Sequence, residues 1–240
     1  MRSHLPASKE NNIIMIARDL GVVAYDEALR YQEEAHAARV RGEVEDVLFL
    51  LEHDPVITCG RSGKDSDLLA PEDMLVEEGI AVRHVNRGGK LTCHYPGQLV
   101  GYVIMDLKAS GMDAHLLVSS LEEVVIVALG EFGIRGERIP SLRGVWVDGR
   151  KVASIGIEVK KGVTMHGFSF NVLEDRRLYR YFIPCGLTDR ETTFLQTCLS
   201  GQTPDMNAVK KAVLKAFAGI FGVIFSDKKD YLWPSPSPTG

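Results

Sequence analysis

Val145-Trp146-Val147-Asp148-Gly149-Arg150-Lys151-Val152-Ala153-Ser154-Ile155-Gly156-Ile157-Glu158-Val159 is the stretch that decides the fold class. Asp-Gly between two apolar, β-branched runs suits the two central positions of a type I′ turn, where both residues need positive φ. Residues 145–147 and 151–159 are therefore expected to pair as an antiparallel hairpin. Residues 162–172 read as a further strand. Outward from the hairpin, residues 113–132 carry the longest helical pattern, with a cap at Asp113 and a stop at Gly133. Residues 99–107 are strongly apolar and alternate poorly, which suits a central strand.

Nearer the N-terminus, residues 13–20 read as a strand. Residues 25–41 read as a helix with Ala28, Leu29, Ala35 and Ala38 on one side. Residues 46–52 form a short apolar run suited to a buried strand. His53-Asp54-Pro55 interrupts it, and residues 56–59 resume it. Residues 60–67 are a polar loop. Pro71 opens a short helix in its first turn and Gly79 closes it. Residues 80–85 make another strand, Arg87-Gly88-Gly89 a tight turn, and residues 204–221 a helix. The sum is an α+β domain: a mixed, largely antiparallel sheet with packed helices. A doubly wound parallel sheet is disfavoured, because strands and helices do not alternate strictly. One domain is expected over residues 1–230, and residues 231–240, rich in Pro and Ser, read as a disordered tail.

Of the 240 residues 45% are hydrophobic and 25% charged, enough for a sizeable core. The formal net charge of -4 gives no bulk attraction for nucleic acid or an anionic membrane. No apolar run reaches the roughly 20 residues that span a bilayer, and residues 1–12 have no apolar h-region, so a cytoplasmic location is expected. Cys59, Cys93, Cys185 and Cys198 are scattered without a C-x-x-C pair, so neither a disulfide framework nor a zinc site is expected.

Three segments are too rich in Gly, His and polar residues to be ordinary sheet. In the run from Arg87-Gly88-Gly89-Lys90-Leu91-Thr92 to Cys93-His94-Tyr95-Pro96-Gly97-Gln98, paired glycines let the backbone approach a ligand closely; a plain hairpin turn is the competing reading. Lys151 enters an apolar strand beside the small residues Ala153, Ser154 and Gly156, which leaves room for a bound group. A lysine that protects a sheet edge is the alternative. Cys185, between Pro184 and Gly186, is either a buried structural thiol or a nucleophile, and a nearby cation decides between them by stabilising the thiolate. Across residues 166–172, Gly167 and Ser169 share a small, open strand face and Phe168 and Phe170 the opposite one.

Taken in order, these segments resemble the lipoyl(octanoyl) transferase family. The match spans Leu48 to about Thr193 through the His53-Asp54-Pro55-Val56-Ile57-Thr58-Cys59-Gly60 stretch and the Arg87–Gln98 loop. It continues through Lys151-Val152-Ala153-Ser154-Ile155-Gly156-Ile157, His166-Gly167 with Asn171-Val172, and Ile183-Pro184-Cys185-Gly186-Leu187. The resemblance implies the fold of the biotin and lipoate protein ligase catalytic domain. It implies transfer of an octanoyl or lipoyl group, through a cysteine thioester, from octanoyl-acyl carrier protein to a lysine of a lipoyl domain. The acceptors it implies are 2-oxoacid dehydrogenase subunits and the glycine cleavage H protein.

The same resemblance assigns Cys185 as nucleophile and Lys151 as the residue that lowers its pKa. Substrate contacts are assigned to Arg87, Gly88, Gly89, Lys90, Leu91, Thr92, Cys93 and His94, to Ser154, Ile155 and Gly156, and to Gly167, Phe168 and Ser169. No cofactor or metal is implied. Two positions depart from the family pattern: Cys93 stands where an aromatic is usual and Tyr95 where glycine is usual, which bears on acyl-chain preference. An ATP-dependent lipoate or biotin ligase is the alternative on the same fold. Against it, the loop has only Gly88-Gly89, and Tyr95 rather than an acidic residue follows His94.

Overall fold

A computed structural model describes residues 13–182 and 192–226. Cys185 and the tail expected over residues 231–240 lie outside the described residues. The central sheet holds β1 (Ile13–Val23), β2 (Asp46–His53), β6 (Gln98–Ile104), β7 (Glu137–Ile139), β8 (Leu142–Val147), β9 (Arg150–Lys160), β10 (Val163–Asn171) and β11 (Val223–Ser226). Its strand order is β11-β1-β2-β6-β10-β9-β8-β7. Only β11–β1 and β1–β2 pair in parallel; every other neighbouring pair is antiparallel. The mixed, largely antiparallel sheet expected from the sequence is the one observed.

The hairpin that decided the fold class forms as read. Asp148 and Gly149 take φ of 49° and 71°, the left-handed pair a type I′ turn needs. The poor alternation of β6 has a direct cause: both of its faces are covered. One face, with Val100, Tyr102 and Ile104, packs under α1 (Tyr25–Val40). The other, with Leu99 and Val103, packs under α3 (Ala114–Gly130) and α5 (Met206–Phe221). The cap read at Asp113 forms on α3, and α5 is capped by Asp205, a position expected from the sequence to lie inside the helix. Asp113 accepts from the Leu116 N–H at 2.8 Å, Asp205 accepts from the Asn207 N–H at 3.0 Å, and Gly222 ends α5 with φ 63°.

Three further expectations are corrected. Residues 56–59 do not resume β2. After the break at Asp54-Pro55 they form β3 (Val56–Cys59) of a separate sheet, between β4 (Ala81–His84) and β5 (Leu91–His94). The pattern over residues 91–94 suggested no strand. β5 exists because Val56, Ile57, Thr58 and Cys59 offer it an antiparallel ladder, a partner that sequence periodicity does not reveal. Pro71 sits one residue before α2 (Glu72–Glu77), with extended ψ of 144°, rather than inside its first turn. The small sheet packs on its own apolar cluster, which includes Ile57, Leu91, Cys93, Tyr95 and Phe182. It holds the loop over residues 87–90 against the main sheet.

Candidate active site

A cavity of about 600 Å³ opens where the small sheet meets β9 and β10. Its lining draws on well-separated parts of the chain: Tyr25 of α1, the segments at residues 61–62 and 87–94, Tyr102 of β6, the start of α3, and the strands β8, β9 and β10. Backbone lies directly on backbone here. The Gly88 N–H donates to the Ile157 carbonyl at 2.9 Å. A Cβ on Gly156 would stand 2.7 Å from the Gly88 carbonyl oxygen. The loop can rest on the strand only because Gly156 has no side chain.

Arg87, Gly88, Gly89, Lys90, Leu91, Thr92 and His94 all line this cavity, as do Lys151, Ser154, Ile155, Gly156, Gly167, Phe168 and Ser169. Cys93 does not. Strand alternation turns Thr92 and His94 to the cavity and Cys93 to the opposite face, where it is 1% exposed among Ile57, Tyr95 and Phe182. Sequence reading missed Tyr25, Arg61, Ser62, Tyr102, His115 and the residues 141–143, which join the lining through tertiary contact alone. A lone arginine in a polar loop, such as Arg61, carries no signal that sets it apart.

Lys151 is held by its surroundings. Its Nζ lies 5.5 Å from the centre of the Trp146 ring. Its side chain runs past Gly144, where a Cβ would meet Lys151 Cε at 2.5 Å. Its carbonyl accepts from the Thr193 N–H at 2.9 Å, and its backbone forms a parallel bridge with Thr192. At the other flank of residues 183–191, the Leu69 N–H donates to the Tyr181 carbonyl at 2.7 Å.

Arg87 is buried, with its guanidinium donating to the Thr58 carbonyl and hydroxyl, each at 2.7 Å, and to the Gly88 carbonyl at 3.1 Å. The histidines around it are neutral near pH 7. Burial, then the positive charge of Arg87, pushes His166 down to about 4. Burial alone pushes His53 down to about 4, and burial holds His94 well below 6.5.

A chain of amides sets the His94 tautomer. The Gln98 amide nitrogen donates to the Cys93 carbonyl at 3.2 Å and to Asn171 Oδ1 at 2.9 Å, so its oxygen faces His94 Nδ1 at 2.7 Å. His94 therefore donates from Nδ1 and leaves the Nε2 lone pair for the cavity. Asn171 Nδ2 donates to the Thr193 carbonyl at 3.2 Å, which links the network to the segment paired with Lys151. Tyr25, stacked on His94 with ring centres 6.3 Å apart, also lines the cavity. Its hydroxyl is buried without a hydrogen-bond partner among the described residues. Such a group is a docking point for a ligand atom or water.

The depressed histidines tie stability to pH. Their folded values of about 4 lie below the ordinary 6.5, so the unfolded chain takes up protons first as pH falls. The stability gained from neutral His53 and His166 is complete above pH 6.5 and is lost as pH drops toward 4, at up to about 1.4 kcal/mol per unit for each group. Urea unfolding midpoints are expected to hold steady above pH 7 and to fall between 6.5 and 4, with a shallower fall in His53→Gln. A midpoint that is flat across that window would refute the assignment.

Comparison with known proteins shows the family and the fold. Residues 24–218 match the family described as the lipoyl protein ligase A/B catalytic domain. The octanoyltransferase of Caldicellulosiruptor saccharolyticus is 46% identical over 208 residues, covering 86% of this chain and 88% of that protein. The octanoyltransferase of Solibacter usitatus is 44% identical over 204 residues, 85% of this chain and 91% of that one. Among solved structures, lipoate-protein ligase A bound with ATP superposes with a TM-score of 0.69 at 15% identity, covering 90% of this chain and 88% of that one. At that identity the likeness concerns the fold.

Proposed function

The chain belongs to the lipoyl protein ligase A/B catalytic-domain family, among its octanoyltransferases, and from that premise we propose that Cys185 carries the octanoyl group as a thioester and that Lys151 keeps its thiol ionised. The enzyme is an acyltransferase that moves octanoyl groups in protein lipoylation. The observation that best supports the proposed dyad is the place of Lys151: it lines the cavity, and the chain just beyond residues 183–191 pairs with its backbone.

The Cys185 thiolate attacks the thioester carbonyl of octanoyl-acyl carrier protein. The tetrahedral intermediate collapses, the carrier thiolate leaves and takes up a proton, and octanoyl remains on Cys185. Thioester for thioester is close to thermoneutral, so the step needs no ATP. A neutral lysine amine of a lipoyl domain then attacks the acyl-enzyme, forming an amide and restoring the thiol. The oxyanion of each intermediate needs N–H donors. The Gly88 N–H is committed to the Ile157 carbonyl, which leaves this task to others, at Gly89 or at Cys185 itself. The acyl tail lies against the apolar part of the lining, which includes Val118, Leu142, Ile155 and Phe168. At about 0.8 kcal/mol per buried CH₂, an octanoyl chain contributes roughly 5 kcal/mol of binding.

Mass spectrometry after incubation with octanoyl-acyl carrier protein, without ATP, is expected to show one octanoyl adduct that is absent from Cys185→Ser. An adduct that survives that substitution, or transfer that requires ATP, would sink the reading and favour a ligase.

A further inference from the structure

Charge is distributed unevenly around the cavity. The chain has more acidic than basic residues, 32 Asp and Glu against 28 Lys and Arg. Yet among the described residues the lining includes Arg61, Arg87, Lys90, Arg143 and Lys151 and no carboxylate. Arg87 and Lys151 belong to the interior of the site. The other three lie toward solvent: Arg61 and Arg143 are exposed and Lys90 is half-buried.

Arg61 and Lys90 are brought to one side by paired loops. The Gly60 N–H donates to the Lys90 carbonyl at 3.1 Å, and the Arg61 N–H donates to the Arg87 carbonyl at 3.0 Å. Arg143 comes from β8, the strand beside Lys151. No ion pair joins Arg61, Lys90 or Arg143 to another described residue. Most exposed arginines among the described residues do have a carboxylate partner, as Arg83 has Asp26 at 2.7 Å and Arg176 has Glu174 at 2.6 Å. Uncompensated like charges around one opening repel each other unless an anion joins them. The Tyr25 hydroxyl in the same lining, without a partner among the described residues, independently marks the cavity as built to hold a ligand.

We propose that Arg61, Lys90 and Arg143 form an anion subsite at the cavity mouth that binds the phosphate on the pantetheine arm of the acyl donor. The proposal rests on the octanoyl-transfer reading and deepens it. The donor's thioester ends a long arm whose other end is a phosphodiester. With the acyl end inside near Lys151, the phosphate falls outside the interior, toward the solvent-facing cations. The second substrate fits the same charges poorly, because its reacting side chain is a lysine. A cationic mouth repels the ammonium and admits the neutral amine, the form that attacks. The subsite therefore serves donor selection, and arginine's forked guanidinium suits a phosphate.

Titration calorimetry of phosphopantetheine against pantetheine reads the subsite without turnover. The phosphorylated arm is expected to bind at least about tenfold tighter, the gain of one or two charge-assisted contacts. Arg61→Gln with Arg143→Gln is expected to erase that difference, and added salt to shrink it. Equal affinities in the wild-type protein would overturn the proposal. Kinetics with S-octanoyl phosphopantetheine, S-octanoyl pantetheine and octanoyl-acyl carrier protein place the effect. The double variant is expected to raise KM about tenfold for both phosphorylated donors, with kcat unchanged and the pantetheine donor unaffected. A defect confined to the carrier would assign the cations to the carrier's protein surface and overturn the phosphate reading. Transfer from none of the donors in the wild-type protein would defeat the octanoyl-transfer reading, and the calorimetry would still decide the subsite.

Discussion

Lys151→Met is expected to slow formation of the acyl-enzyme by roughly 10² to 10⁴-fold near pH 7. An ordinary cysteine titrates near 8.5, so only about 3% of it is thiolate at neutral pH. Loss of the stabilising ammonium thus costs roughly 30-fold through ionisation alone, and loss of a proton donor to the departing carrier thiolate accounts for the remainder. The two parts separate by pH. As pH rises from 7 to 9 the variant recovers the ionisation part, up to about tenfold per unit until the thiol has titrated. The proton-transfer part persists at every pH. Lys151→Arg keeps a cation but no group that gives up its proton, and should recover only the first part. Single-turnover mass spectrometry of the adduct follows both. A Lys151→Met protein within twofold of wild type at pH 7 would leave Lys151 a spectator.

Gly167→Ala carries the largest expected effect on stability, a loss of about 3 kcal/mol or more. A Cβ there would stand 2.1 Å from the Gly101 carbonyl oxygen, inside the sheet. Gly101 lies in β6, paired to β2 on one side and β10 on the other, so neither backbone can retreat. The two glycines are interdependent: the Phe168 ring covers Gly101 so closely that a Cβ there would lie 2.2 Å from it. Urea unfolding with an unchanged m-value measures the loss. Gly219→Ala is the control. It is exposed in α5 with nothing within 4 Å of the added carbon, and should gain about 0.5–1 kcal/mol. A Gly167→Ala protein within 1 kcal/mol of wild type would contradict the packing described here.

Gly167 also shows how a sequence signal and its physical cause can differ. In the sequence, Gly167 and Ser169 read as a small, open face that left space for a ligand. Both do line the cavity, but the tightest constraint at Gly167 comes from the neighbouring strand's carbonyl. Cys93 differs the other way. The motif placed it in the substrate loop, and one step of strand alternation removes it from the cavity. Its departure from the family pattern therefore falls in the packing behind the loop.

What the amino-acid sequence determined by itself is local. The Asp148-Gly149 turn, the cap at Asp113, and the apolar character of β2 and β6 all follow from sterics and hydrogen bonds within a few residues. The order of the short motifs was likewise readable, because each is a run of neighbours. What only the tertiary structure decided is which of these runs meet. Arg87 reaches Thr58 across 29 positions, Gln98 reaches Asn171 across 73, and His166 reaches Gln32 across 134. No periodicity encodes such separations, since they depend on how the two sheets and the helices settle against one another. The gathering of Arg61, Lys90 and Arg143 at one opening is a property of that packing, and so is the place of Lys151 beside the chain that leads back toward Cys185.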